Sequence, residues 1–182
     1  MIEVRIHGRG GQGGVTSAEL LALAAINEGK YAQAFPTFGP ERRGAPVIAF
    51  CRIDDKKIRI RSAIYTPDVV VVLDPGILRL VDVTSGLKED GILCANSKYS
   101  GEELREELGI KHTIATVNAT KIAREEIGLP ITNTAMLGSI LKARNIVPFN
   151  SLIGPLKKRF GRIAEKNIKV FTRAYEETQI TK

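Results

Sequence analysis

The stretch of residues 8–14, which reads GRGGQGG, has the clearest potential for chemistry in this sequence. Gly8, Gly10 and Gly13 have the spacing G-x-G-x-x-G, which binds phosphates when it joins a strand to a helix. Glycine lets a ligand approach the backbone, and the unpaired N–H groups of a helix start favour an anion. The structural alternative is a tight turn whose small residues let the helix pack on the sheet. The candidate contacts for a phosphate-bearing ligand, or for a partner's cofactor, are Gly8, Gly10, Gly11, Gln12 and Gly13.

A pair of arginines forms the second candidate site. Arg42 and Arg43 lie in residues 35–46, where three prolines and two glycines disfavour regular structure. Guanidinium groups make charge-assisted, bidentate bonds to phosphates and carboxylates. This segment is therefore a candidate anion contact. The alternative is a pair of solvent-exposed charges, one of them paired with Glu41.

The elements around the glycines predict a nucleotide-binding type of fold. Residues 2–7 alternate apolar and polar side chains as a strand does, and residues 15–28 have the apolar pattern of a helix. A dinucleotide-binding fold places an acidic residue at the end of the second strand, where it holds a ribose. The predicted second strand, residues 31–35, runs into Pro-Thr-Phe-Gly and has no such carboxylate. The sequence therefore favours the fold and argues against NAD.

The rest of the chain alternates strands with helices, which implies right-handed crossovers and a mostly parallel sheet. Residues 58–61 alternate Ile and Arg after a polar turn, so we predict a β-hairpin with the preceding strand. Asp74 follows a buried apolar run and is either a ligand contact or a helix cap. The further predicted strands are residues 47–53, 69–73, 91–95 and 113–117, and the predicted helices are residues 77–83, 101–108, 118–127, 133–143, 151–160 and 164–177.

We therefore predict a single α/β domain over residues 1–182. It has a Rossmann-like, mostly parallel sheet with helices on both faces and a β-hairpin insertion. Its C-terminal region is helical, with no strand after Thr132.

Composition excludes several classes of function. The chain has two cysteines and two histidines, too few and too far apart for a metal centre or an iron–sulfur cluster of its own. It has no apolar run approaching the roughly 18 residues of a membrane span and no signal peptide, so we expect a cytoplasmic protein away from membranes. The net charge of +7 is compatible with nucleic acid, an acidic ligand or an acidic partner protein. Aromatic residues are not interleaved with the basic clusters, which argues against nucleic acid.

Three motifs together resemble one family. They are GRGGQGGV at residues 8–15, FGPERRGAP at residues 38–46 and NTAMLG at residues 133–138. They resemble the gamma subunit of pyruvate:ferredoxin oxidoreductase, or pyruvate synthase, among the 2-oxoacid:ferredoxin oxidoreductases. The resemblance covers nearly the whole chain, and the arginine-containing motif is the most specific of the three.

The resemblance implies a complex that converts pyruvate, coenzyme A and oxidised ferredoxin to acetyl-CoA, carbon dioxide and reduced ferredoxin. Its alpha and beta subunits would hold thiamine diphosphate, and its delta subunit would carry iron–sulfur clusters. This chain would have no catalytic residue, metal or redox cofactor of its own and would be inactive alone. It would help to seat coenzyme A, cover the active site or scaffold the other subunits.

Other functions remain open at the level of sequence. A gamma subunit could serve an enzyme acting on 2-ketoisovalerate or 2-oxoglutarate. A stand-alone dinucleotide-binding protein would need a ribose carboxylate and catalytic residues that the sequence does not display. A basic nucleic-acid-binding module is the third alternative.

Overall fold

The computed structural model describes residues 1–37 and 44–182. Within these ranges, seven strands form one sheet in the order β2-β3-β1-β4-β5-β6-β7. The strands are β1 (Ile2–Arg9), β2 (Tyr31–Pro36), β3 (Pro46–Asp54), β4 (Val69–Val72), β5 (Ile92–Asn96), β6 (Thr113–Val117) and β7 (Gln179–Thr181).

Six α-helices lie in the same part of the chain. The first begins directly after the glycine-rich loop, and four others follow the last parallel strand. None of the described helices is long and apolar enough to cross a bilayer. The helices are α1 (Gly14–Asn27), α2 (Gly101–Leu108), α3 (Ala119–Ile127), α4 (Asn133–Ala143), α5 (Ile153–Phe160) and α6 (Ala164–Glu177).

The sheet is mostly parallel, as predicted. Strands β1, β4, β5 and β6 are parallel neighbours. Strand β3 is antiparallel to β1, and β2 is antiparallel to β3, so β2 points the same way as β1. Only β3 and β7 run in the opposite direction. The uninterrupted valine run of β4 fits its position at the centre, because a central parallel strand is buried on both faces.

Two apolar clusters fill the two faces of the sheet. On the first face, Val4 and Ile6 of β1 join the cluster that contains α1, α3, α4, α5 and α6. On the second face, Val70 and Val72 of β4 pack with Leu104 of α2 and with the chain that follows β4. Helices therefore lie on both faces, as predicted, although the second face has only α2 among the described helices.

The predicted β-hairpin is wrong in one of its two strands. Residues 58–61 form no strand. Strand β3 pairs with β1 on one side and with β2 on the other. Both of its backbone edges are then used, so no ladder is available to residues 58–61. The antiparallel hairpin exists, but it consists of β2 and β3.

Two shorter elements also differ from the sequence prediction. Strand β7, Gln179–Thr181, pairs with β6, although no strand was expected after Thr132. Its three residues are too few for a period of two to be recognised. The segment after β4 is a short 3-10 helix, Pro75–Arg79, rather than an α-helix over residues 77–83.

Candidate functional site

The glycine-rich loop connects β1 to α1 with two residues in the left-handed region. The φ angle is 92° at Gly11 and 79° at Gly13, where residues with a side chain are strained. Gly13 is also the N-cap of α1, and no side chain caps this helix start. The first amides of α1 therefore keep their hydrogen-bonding capacity for a ligand.

Gln12 holds the loop in shape. Its Oε1 accepts a hydrogen bond from the backbone N of Arg9 at 2.7 Å, and its Nε2 donates to Oδ2 of Asp74 at 2.7 Å. Asp74 also accepts from the backbone N of Gly76 at 2.9 Å, so the helix-cap interpretation of Asp74 is confirmed. Both polar groups of Gln12 are bonded within the protein, which makes it a positioning residue of the loop.

The segment that follows the arginine pair lies against the glycine loop. The backbone N of Gly10 donates to the carbonyl of Ala45 at 3.0 Å, and the N of Gly44 donates to the carbonyl of Gly10 at 3.4 Å. Arg9 adds a bond from Nη1 to the carbonyl of Gly44 at 3.1 Å. Arg42 and Arg43 themselves lie outside the described residues. The structure thus brings the end of the second motif onto the first.

The third motif contacts the same loop from α4. A Cβ built on Gly13 would lie 2.7 Å from Nδ2 of Asn133, so this glycine leaves the space that the asparagine occupies. Ser17 of α1 donates from Oγ to the carbonyl of Asn133 at 3.4 Å, and Thr132 donates to the carbonyl of Leu73 at 3.1 Å. Sequence reasoning did not include Asn133 or Arg9 among the candidate site residues. The residue types of Asn133 and Arg9 do not by themselves indicate a site. The one signal that could have found them is that each lies within one of the three motifs.

These contacts form a cleft of about 330 Å³ at the carboxyl end of β1. Two hydrophobic side chains of β3, from Val47 and Ala49, form part of its wall. The described lining residues include no cysteine, histidine or carboxylate, and their only side-chain hydroxyl is that of Thr16. The cleft can bind part of an anionic ligand through backbone groups, and its described part offers no acid–base pair.

A second cleft, of about 520 Å³, lies on the second face of the sheet below the same end of β1. Its floor includes Arg5 and His7, which are 8% and 6% exposed. Arg5 donates from Nε to Nε2 of His7 at 3.1 Å and from Nη2 to the carbonyls of Val83 and Ser85 at 2.9 and 2.7 Å. Burial, followed by the charge of Arg5, lowers the pKa of His7 to about 4. The imidazole is thus neutral near pH 7 and carries its proton on Nδ1.

Comparison with known proteins decides the family. The family model described as pyruvate ferredoxin/flavodoxin oxidoreductase matches residues 3–177. The chain belongs to this family.

Relatives of this oxidoreductase subunit match it over nearly their whole length. The chain is 59% identical to the pyruvate/ketoisovalerate oxidoreductases common subunit gamma of Pyrococcus abyssi, over 99% of this chain and 98% of the relative. It is 50% identical to the pyruvate synthase subunit PorC of Methanothermobacter thermautotrophicus, over 98% and 97%. The crystal structure of pyruvate oxidoreductase subunit PORC from Thermotoga maritima aligns with a TM-score of 0.89 at 40% identity, over 100% of this chain and 98% of that one.

The cysteines of this oxidoreductase family member do not suit an iron–sulfur cluster. Cys51 and Cys94 lie on β3 and β5, with β1 and β4 between them, which separates them by about 14 Å. Both are fully buried, and burial raises the pKa of each thiol to about 12. The described residues contain no cluster of three or more metal-ligating side chains.

Proposed function

We propose that this chain is the gamma subunit of a pyruvate:ferredoxin oxidoreductase and that its glycine loop helps to seat coenzyme A. One observation carries the proposal. The described parts of the three motifs that resemble the family meet at the glycine loop, beside a helix start that no side chain caps. Coenzyme A is a polyanion, so its phosphates suit the free amides of α1. Arg9 also lines the cleft, and its Nε lies 3.3 Å from Oδ2 of Asp74, which offsets part of its charge.

The proposed contacts are Gly8, Gly10, Gly11 and Gly13, with Arg42 and Arg43 adding positive charge. Gln12 keeps the loop in shape from within. The alpha and beta subunits would hold thiamine diphosphate, the delta subunit the iron–sulfur clusters, and ferredoxin would accept the electrons. This chain would act in the cytoplasm and would be inactive by itself.

A second candidate is a gamma subunit shared by two enzymes, one for pyruvate and one for 2-ketoisovalerate. The observation in its favour is the identity of 59% with a relative named as common to both oxidoreductases, against 50% with a pyruvate synthase subunit. Tagged chain purified from its native source should then carry two different sets of partner subunits. A single set would rule out this candidate.

Substitution of Gly11 tests the seating of coenzyme A. A Cβ on Gly11 would have no heavy atom within 4 Å, and the residue is exposed, so Gly11→Leu adds bulk at the cleft without a clash inside the chain. In the assembled complex, we expect the KM for coenzyme A to rise about tenfold while the KM for pyruvate stays constant, which corresponds to about 1.4 kcal/mol.

Gly128→Leu is the matched control. Gly128 has a φ of 87°, an equally open surrounding and a position at the end of α3, so it reproduces the backbone strain away from the cleft. Equal KM values for coenzyme A in the two variants would remove the loop from the coenzyme site. Reduction of ferredoxin by the isolated chain would contradict the proposed division of labour among the subunits.

A further inference from the structure

The second face of the sheet is incompletely covered over β1, β3 and β2. Paired residues in a sheet share a face, and Arg5 pairs with Phe50 while His7 pairs with Ile48. No described helix packs over this part of the face. It is covered instead by irregular chain over residues 57–66, whose carbonyls at Ile58 and Ala63 accept hydrogen bonds from Gln33 and Arg52.

This irregular chain combines exposed apolar side chains with a concentration of positive charge. Tyr65 is 74% exposed and Ile60 is 45% exposed. Lys56, Lys57, Arg59 and Arg61 are exposed as well. None of these four forms an ion pair with a described carboxylate. The two nearest acids in sequence, Asp54 and Asp55, pair instead with the N-terminus and Lys30.

The second cleft, which has Arg5 and His7 at its floor and is called the Arg5–His7 cleft below, adjoins this irregular chain. Tyr65 lines the cleft together with Ile48, with Val81, which is 42% exposed, and with the exposed Asp82. A concave pocket whose rim is partly apolar, next to four exposed cations and one carboxylate, has the form of a protein interface, in which a buried anchor is surrounded by polar contacts. We name the surface formed by residues 56–61, Tyr65 and Val81 the basic strip.

We propose that the basic strip docks an acidic segment of another subunit of the oxidoreductase, with one side chain of that segment placed in the Arg5–His7 cleft. This inference rests on the proposed function, because it requires partner subunits. Charge complementarity selects the occupant, since four unpaired cations attract an acidic surface and repel a basic one. A second copy of this chain would bring its own four cations to a symmetric contact.

Nucleic acid is a poorer match for the same surface. The strip contains one tyrosine and aliphatic side chains, whereas single-strand binding requires several aromatic rings for stacking. Burial of Ile60, Tyr65 and Val81 against a protein would stabilise the contact through loss of exposed apolar area. An oligonucleotide offers no equivalent apolar cover.

Cysteine footprinting of the assembled complex tests the proposal. Both native thiols are fully buried, so a maleimide reports on an introduced cysteine alone. We expect Tyr65→Cys to react at least tenfold more slowly in the complex with the alpha, beta and delta subunits than in the isolated chain. Leu129→Cys, at a position 54% exposed beyond α3 on the helix-covered side, should react at similar rates in both. Unchanged labelling at position 65 in an intact complex overturns this proposal alone, and failure of the wild-type chain to assemble overturns the proposed function with it.

Charge reversal gives an independent measurement. The double variant Arg59→Glu/Arg61→Glu should bind the subcomplex of the other three subunits at least tenfold more weakly, with a reduced dependence on salt. Lys166→Glu/Lys169→Glu makes the same change of charge on exposed positions of α6 and should bind within twofold of wild type. Equal affinities of the two double variants overturn the proposal. Two further results would overturn the proposal. One is protection of position 65 from the maleimide in the isolated chain at high concentration, which indicates self-association. The other is RNA binding that Arg59→Glu/Arg61→Glu abolishes.

Discussion

The two clefts beside the end of β1 are built from different parts of the polypeptide. The first cleft, at the glycine loop on the first face of the sheet, is lined largely by backbone from that loop and the start of α1. The second-face cleft is lined by side chains, with Arg5 and His7 at its floor and Tyr65 at its rim. Alternation along one strand produces both, since Val4 and Ile6 face the helices while Arg5 and His7 face the other way.

This contrast determines how each cleft responds to mutation. In the first, Gln12 and Asp74 hold the loop by bonds within the chain, so a ligand meets mainly backbone amides, which only a proline substitution removes. Added bulk, a change of loop shape or the loss of a neighbouring guanidinium group should alter it. In the second cleft, the groups that a partner would contact are side chains. Replacing one of them by a residue of similar size should therefore alter the properties of this cleft.

The largest effect on stability is expected for Gly13→Val. Its Cβ would lie 2.7 Å from Nδ2 of Asn133 at a φ of 79°. Left-handed strain of about 1–3 kcal/mol adds to an overpacking cost of about 1–3 kcal/mol. We expect the free energy of unfolding, measured by urea titration, to fall by about 2–6 kcal/mol.

Gly11→Val separates strain from packing. Gly11 has a φ of 92°, yet a Cβ there would touch nothing within 4 Å, so only the strain of about 1–3 kcal/mol remains. Asn133→Ala in the Gly13→Val background should recover part of the loss. If the two glycine variants were equally stable, Asn133 would have to move aside at no cost, and the packing argument would be wrong.

The second cleft should make stability depend on pH. His7 has a pKa lowered to about 4 in the folded chain, against about 6.5 when unfolded. Between these values the unfolded chain binds more protons, so stability decreases as pH falls from about 6.5 to about 4 and then changes no further from this group. The loss attributable to His7 is up to about 3 kcal/mol.

His7→Gln isolates this contribution. The glutamine Oε1 can still accept a hydrogen bond from Nε of Arg5, but it does not titrate. The difference in unfolding free energy between wild type and His7→Gln should therefore vary between pH 6.5 and pH 4. A constant difference over that range would show that His7 titrates normally in the folded protein.

The same comparison explains what sequence could and could not predict. The strand, loop and helix of residues 2–27 are specified by local periodicity and by glycine, so their prediction is confirmed. The burial of Arg5 and His7 was not foreseen, because alternation of polar and apolar residues is typical of a strand with one face in water. Their face is closed by irregular chain over residues 57–66 and 80–86, which has no periodic signal.

Strand order was the other quantity that local patterns did not contain. A dinucleotide-binding fold has its ribose carboxylate at the end of a second strand that lies beside β1, and the sequence showed none at the end of β2. In the sheet β3 separates them, so the end of β2 is not adjacent to the glycine loop in the usual way. Pairing of strands depends on contacts between distant residues, and periodicity within a strand carries no information about them.

A smaller loss of stability is expected when the hydrogen bonds of Gln12, which hold the glycine loop in shape, are removed. Gln12→Ala removes one bond to a backbone amide and one to the carboxylate of Asp74, so unfolding should be easier by about 2 kcal/mol. The KM for coenzyme A in the complex should rise with it, because the loop loses its fixed shape. A double-mutant cycle with Asp74→Ala should give a coupling of about 1 kcal/mol. Strict additivity would show that the Gln12–Asp74 bond contributes nothing.

The smallest effect on stability is expected for the double variant Arg42→Ala/Arg43→Ala. These residues lie outside the described part of the chain, but Gly44, the next in sequence, bonds to Gly10 of the first cleft. Exposed charges contribute little to folding, so the Tm of the isolated chain should barely move. If each arginine makes one charge-assisted bond to an anion, of about 1.5–3 kcal/mol, the loss should appear in assembly of the complex or in the KM for coenzyme A. Lysine at both positions should restore only part of it, because an ammonium keeps the charge without the planar, bidentate contact. The double alanine variant could instead assemble and use coenzyme A just as the wild type does. The first cleft would then work through its backbone alone, in full contrast to the second cleft, which is lined by side chains.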